Sequence, residues 1–222
     1  MKRDDAAAGL KPRGPAARLG PVTSLSPAGP APQADRPAPA FARAPVPGRA
    51  CGSCTLCCKT IAVEELAKPP GRQCPHSLGS KGCAIYDLRP ASCRRFYCEW
   101  RLSKALGPEW RPDRARFALM VTATGHLAAC VDPAFPAAWR RAPYYRTLWR
   151  WARERAADPW STWPGVDVWI GRRCILLLPD GEQDLGVVAA EEEVRIESRM
   201  TEAGPAWTAE KFRARAAGAH PG

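Results

Sequence analysis

The sequence predicts an α+β protein: a cysteine-rich module, then a small antiparallel sheet with one long helix, all behind a disordered N-terminal leader. Three observations predict it. Eight of the ten cysteines fall within residues 51–110. Beyond residue 110, apolar strand-length runs alternate with glycine turns around one long helical pattern, which is how α+β chains read. Residues 1–50 hold ten of the 24 prolines and show no apolar period.

The leader, residues 1–50, is rich in Ala, Pro, Gly and Arg, and its few large apolar residues (Leu10, Leu19, Val22, Leu25, Phe41, Val46) follow no spacing. Such composition cannot bury enough apolar surface to offset ordering. A basic tether for an acidic partner is the alternative reading of the same text. The opening "MKRDDAAAGL" lacks the apolar stretch of a secretory signal. The longest apolar run, "CILLLP" at 174–179, is strand-sized and far short of the ~20 residues that span a bilayer. The expected location is therefore the cytoplasm, with no membrane partner. In a reducing compartment, clustered cysteines bind metal or do redox work more often than they form disulfides.

The module, residues 51–110, opens with "CGSCTLCCKT". "IAVEELAKPPG" predicts a short helix ended by Pro69, Pro70 and Gly71. Further on, Pro90 suits the first turn of a helix and Leu88 can staple it, which predicts a helix over about 90–106. The body, residues 111–200, begins with "RFALMVTATGHLAACVDP", two strands around Thr124-Gly125. "PAAWRRAPYYRTLWRWARERAADP" reads as a helix restarted at Pro143, with Tyr144, Tyr145, Leu148, Trp149 and Ala152 on one side. "VDVWIGRRCILLLP" is a second pair of strands around Gly171-Arg172. "DLGVVAAEEEVRIESR" supplies one more, with Glu191–Glu193 at a bend. Residues 201–222 read as a flexible tail.

The cysteines carry the chemistry. From Cys51 the spacing is C-x2-C-x2-C-C, through Cys54, Cys57 and Cys58, followed by Cys74, Cys83, Cys93 and Cys98. A two-residue gap lets two thiolates of one tight turn reach one soft metal ion. C-x2-C-x2-C plus a distant cysteine is also how cubane iron–sulfur clusters are held. The spacing thus leans toward iron–sulfur, with zinc still open. Cys93 and Cys98 are about 140° apart on an ideal helix, from 3.6 residues per turn. Either the helix opens between them, or they serve different sites or the ends of one enclosing loop. Adjacent side chains diverge, so Cys57 and Cys58 point to two four-ligand sites or to one site with spare thiols. Thioredoxin-like chemistry would need a βαβ context that is absent here. His76 reads as a bystander, and Cys130 and Cys174, each in an apolar strand, read as core residues.

The stretch "CGSCTLCCKTIAV…CPHSLGSKGCAIYDLRPASCRRFYC" resembles the YkgJ-type CxxCxxCC cysteine-cluster family, described as zinc- or iron-chelating domains. The resemblance covers about 50 residues. It implies metal ligation by Cys51, Cys54, Cys57, Cys58, Cys74, Cys83, Cys93 and Cys98, and marks Tyr86, Arg89, Pro90, Arg94 and Phe96 as motif positions. The implied cofactor is zinc or iron, a [4Fe-4S] cluster included. A flagellin lysine methylase carries a similar cysteine pattern and is associated with an iron–sulfur cluster, so a modification or redox enzyme is the alternative function. No Rossmann-type glycine fingerprint accompanies it, and no acid–base pair or nucleophile stands out among Glu64, Asp87 and Glu99.

Charge fits the metal reading. The formal charge is +11, and eight thiolates around two divalent ions would remove four of those charges. Arg89, Arg94 and Arg95 lie beside the cysteines, where a guanidinium stabilises thiolate charge. Arg89 and Arg94 are read in that supporting role, and Tyr86 as a packing residue with a local hydroxyl partner. The run "AWRRAPYYRTLWRWARER" could meet single-stranded nucleic acid. A helix with an aromatic stripe on a sheet and arginines in water gives the same text, so nucleic acid is not the expected partner. Metal is expected to fold the module outright, because its turns and thiols make no core alone.

Overall fold

The structure, a computed structural model, describes residues 43–161 and 163–213. Its content is mixed α+β: a five-stranded sheet, a two-stranded sheet and one long helix. The leader reading over residues 1–42 and the end of the tail at 214–222 lie outside the described residues.

The body is built around the sheet β1 (Phe117–Val121), β2 (Leu127–Val131), β3 (Val166–Ile170), β4 (Arg173–Leu178) and β5 (Gly181–Val187), in that spatial order. Three neighbours are hairpins, as the turn residues require. Gly125 (φ 86°) closes β1–β2 and Gly171 (φ 61°) closes β3–β4, both in the left-handed region that glycine tolerates. The fourth pairing departs from the antiparallel expectation: β2 and β3 run parallel, with Cys130 opposite Trp169. The long helix α5 (Tyr144–Ala157) lies in the connection and returns the chain to the starting end of the sheet, which is what a parallel pair needs.

Alternation then sorts the side chains. Phe117, Leu119, Ala129, Val131, Val166, Val168 and Leu177 meet Tyr144, Leu148 and Ala152 of α5 in the main core. Trp149 also serves this face, donating its indole N–H to the Leu178 carbonyl at 3.0 Å. Arg146, Arg150 and Arg153 stay on the exposed side of the helix. On the other face, Cys174, Leu176 and Leu178 are covered by Trp163, Val188 and Ala209. Cys130 and Cys174 are both buried, flanking Trp169 across the sheet.

Where one strand was expected after residue 184, there are two more besides β5. β6 (Glu192–Thr201) and β7 (Gly204–Arg213), ten residues each, form a hairpin. Residues 204–213, placed in the flexible tail by composition, are therefore strand. Gln183 fixes the hairpin to β5, donating to Ala209 O at 2.5 Å and accepting from Ala209 N at 2.8 Å.

The cysteine module is made of short pieces, α1 (Cys57–Thr60), α2 (Ala91–Arg95) and α3 (Glu99–Leu102), and the body opens with one more, α4 (Pro112–Ala115). The helix expected over 90–106 is broken, because Phe96 (ψ 126°) and Cys98 (ψ 155°) are extended. The helix expected in "IAVEELAKPPG" is a single turn at Glu64–Leu66, ended by Ala67 in the left-handed region (φ 46°) and clipped by a Val63–Lys68 bridge.

Residues 43–50, assigned by composition to the leader, are held against α3. Val46 N donates to Arg101 O at 2.7 Å. The Arg49 guanidinium donates to the carbonyls of Trp100, Ser103 (2.7 Å) and Leu106 (2.8 Å), supplying partners to the helix end. Trp110 joins module to body, sitting 5.0 Å from Tyr144 and 5.9 Å from Phe117 in edge-to-face contact. Lys59 of α1 pairs with buried Asp132 at the end of β2, at 2.5 Å. Among the described residues no helix is long and apolar enough to cross a membrane.

Candidate metal centre

Each cysteine is placed by local backbone chemistry. Cys51 and Cys54 close one tight turn, Cys54 N donating to Cys51 O at 2.8 Å while Gly52 takes φ 52°. Cys57 and Cys58 open α1. Cys74 N donates to Cys58 O at 2.9 Å, which brings the second cysteine segment against the first. The loop after Cys74 folds back through Leu78 N to Gly82 O and Ala84 N to His76 O, both 2.8 Å, and sets Cys83 opposite Ser77. Cys93 sits on α2, and Cys98 immediately precedes α3.

All eight of these cysteines line one cavity of about 210 Å³. Cys74 and Cys98 are buried and the other six half-buried, and all ten cysteines of the chain are free thiols. The rest of the wall is mainly apolar, including Ile61, Val63, Ile85 and Phe96, and His76 also reaches it. The broken helix explains how Cys93 and Cys98 both face this space: extended Phe96 and Cys98 undo the divergence that a continuous helix would impose.

Burial sets the electrostatics. It raises the thiols of Cys54 and Cys93 and pushes Cys98 up to about 11, since a thiolate loses water there. The vicinal pair splits. The interaction between the two, with burial adding to it, holds the Cys57 thiol up, and the same interaction lowers Cys58, with Lys68 and Arg89 assisting. A thiophilic cation would supply the positive charge that the buried thiols lack, as it does wherever a coordinating thiol is deprotonated.

The supporting residues expected from the sequence divide. Arg89 lines the cavity, donates from Nε to Tyr86 O at 2.7 Å and lies 3.6 Å over the Tyr86 ring. Tyr86 is half-exposed at the rim. Arg94 is exposed and lies outside the cavity wall.

Two cations that the sequence did not single out are closer. Arg101 Nη1 donates to Cys51 Sγ at 3.6 Å, and its Nε to Arg49 O at 3.1 Å. Lys68 is buried, its ammonium held by the carbonyls of Lys59, Pro69 and Arg72 at 3.0–3.3 Å and facing the charges of Cys74 and Cys58. Arg101 lies three residues after Cys98, a spacing that could have flagged it. Lys68 in "LAKPPG" carries no such signal.

The donor set fits a thiophilic metal, since the sulfurs are soft and outnumber every other ligand type on the wall. Among the described residues no group of three or more His, Cys, Asp or Glu side chains is placed to hold a metal ion, so the fit lies in the chemistry of the donors and not in their present spacing. Compared with family models, curated proteins and solved structures, the chain matches none.

Proposed function

We propose that this protein binds metal, zinc or iron, through thiolates of Cys51, Cys54, Cys57, Cys58, Cys74, Cys83, Cys93 and Cys98. The observation that carries this reading is the sorting of the cysteines. The eight from 51 to 98 surround one cavity, although they span 48 positions of chain and five separate backbone pieces. The remaining two, Cys130 and Cys174, are packed in the sheet. The YkgJ-type resemblance of the same stretch supports the same function. Arg101, Lys68 and Arg89 surround the thiols with positive charge, which favours thiolate and so favours metal.

A second reading follows from the size and apolar wall of the cavity: an iron–sulfur cluster that supports a modification or redox reaction. When bound, such a cluster supplies one-electron chemistry. The chain's own contribution would be the apolar wall, which excludes water, and Arg89 and Arg101, which stabilise negative charge at the rim.

The test is metal content and visible spectrum of the full chain purified without oxygen and without chelator. A colourless protein with zinc supports tetrathiolate structural sites. A brown protein with iron and sulfide supports the cluster. A chain from that preparation that carries neither metal overturns the proposal.

A further inference from the structure

Residues 139–155 carry six arginines, no lysine and a single carboxylate, Glu154. Helical spacing alone sets the aromatic residues of this run on the sheet and its arginines in water; the structure divides them differently. Tyr144, Leu148 and Ala152 of α5 are buried, whereas Tyr145 and Trp149, one turn apart, are only half-buried. The Tyr145 and Trp149 rings lie 6.0 Å apart, and Trp139 continues the row 5.8 Å from Tyr145. Arginines cap this row. Arg140 lies 4.1 Å over the Trp139 ring and 5.9 Å from that of Tyr145, and Arg153 lies 5.1 Å over Trp149.

A row of cations runs beside the aromatic one. Arg146, Arg150 and Arg153 are spaced i, i+4 and i+7, which puts them on one face of the helix, and all three are exposed. Little competes for them. Among the described residues, Arg146 makes no ion pair or hydrogen bond. Arg150 meets Glu154 at 3.5 Å and Arg140 meets Glu182 at 2.8 Å. Both are surface pairs, which contribute little and give way to a stronger anion. Arg153 donates one N–H to Pro179 O at 3.0 Å. The other two arginines of the run are turned to the backbone: Arg141 bonds Ala138 O, and Arg155 bonds the carbonyls of Gly125 and Trp163.

Four outward guanidiniums along a helix about 20 Å long, at 1.5 Å per residue, are too extended for one phosphate group and match a chain of them. Laid on an aromatic ring, a guanidinium keeps its fork of N–H donors fixed for bidentate contact with phosphate. Half-exposed rings beside such donors are stacking surfaces for unpaired bases. An acidic peptide would meet the charges and leave Tyr145 and Trp149 unused. We propose that the outer face of α5 binds single-stranded nucleic acid, with Arg140, Arg146, Arg150 and Arg153 on phosphates and Tyr145 and Trp149 against bases. This function is independent of what the cysteine cavity holds.

The test is fluorescence anisotropy of a labelled, mixed-sequence single strand titrated with the full chain over a range of salt. Four phosphate contacts should give a slope of log affinity against log salt of about −3, at about −0.7 per phosphate for single strands. Arg146→Gln with Arg150→Gln should weaken binding and bring the slope to about −1.4. An unchanged thermal midpoint shows that this variant is folded; if it is not, Arg146→Gln alone, with a slope of about −2.1, carries the same test. Lys104→Gln with Arg199→Gln removes the same charge from exposed positions outside α5 and should change neither affinity nor slope. Inorganic polyphosphate, which has no bases, and poly-glutamate should each compete less well than unlabelled strand at equal charge. Absence of binding, or equal losses in the two double variants, overturns the proposal. Competition by either polymer as strong as that by the strand also overturns it, and with poly-glutamate reassigns the face to an acidic protein.

Discussion

Arg101 Nη1 lies 3.6 Å from Cys51 Sγ, joining the first cysteine of the run to the helix that follows the last. The same guanidinium holds Arg49 O, so one side chain sets both the charge beside Cys51 and the path of the chain entering the module. Arg101→Ala should weaken metal affinity about 10–100-fold, the usual cost of losing a group that orients a ligand. Arg101→Lys should recover only part of it, because an ammonium cannot bond sulfur and carbonyl through a fixed fork. Competition with a metal chelator measures both.

Arg49 should matter for folding rather than for metal. Its guanidinium satisfies carbonyls at Trp100, Ser103 and Leu106, and stacks 5.0 Å over the Trp100 ring. Arg49→Ala should destabilise the protein by about 2 kcal/mol, the scale for charge-assisted hydrogen bonds that are partly buried. Urea unfolding followed by tryptophan fluorescence reads this directly. A change within 0.5 kcal/mol, typical of an ordinary surface position, would show that residues 43–50 do not brace α3.

Gly71 packs against the turn of the body. It has φ 80°, and a Cβ there would stand 3.0 Å from Gly171 Cα and 3.2 Å from Pro133 Cγ. Backbone strain and the steric conflict add, so Gly71→Ala should cost about 1–3 kcal/mol. Gly181→Ala is the control, since its Cβ meets nothing within 4 Å and its φ is ordinary. Equal stability of the two variants would contradict the close approach.

Stability should fall in alkali through the two sheet cysteines. Burial pushes the Cys130 thiol up to about 12 from the usual 9.0, and raises Cys174 further. An acid whose native pKa is raised keeps its proton in the folded state while the unfolded chain ionises. The native state then binds more protons, so stability drops as pH climbs past about 9. Denaturant midpoints at pH 8 and pH 10 should diverge, and Cys130→Ala with Cys174→Ala should flatten that slope. An unchanged slope in the double variant would refute their burial as its cause.

Local signals made much of this fold legible. Apolar alternation and single glycines gave β1–β4 and their turns, and Pro143 marked where α5 begins. What escaped depended on partners distant in sequence. The parallel pairing of β2 with β3 follows from where α5 delivers the chain, and no residue of either strand announces it. The β6–β7 hairpin is largely exposed and polar, so its pattern resembles a tail until the two strands are seen to pair. The eight cysteines were legible from spacing alone. Arg101, Arg49 and Lys68 were not, because their roles arise only when residues 43–60 meet residues 68–106.

Thiolates of residues 51–98 are proposed here to hold metal. X-ray absorption at the metal edge, on full chain purified without oxygen, tests it most directly. Ligation by these thiolates should give a shell of about four sulfurs at about 2.3 Å around each ion, the distance of metal–thiolate bonds. A first shell of nitrogen and oxygen, or a chain that carries no metal, would contradict it.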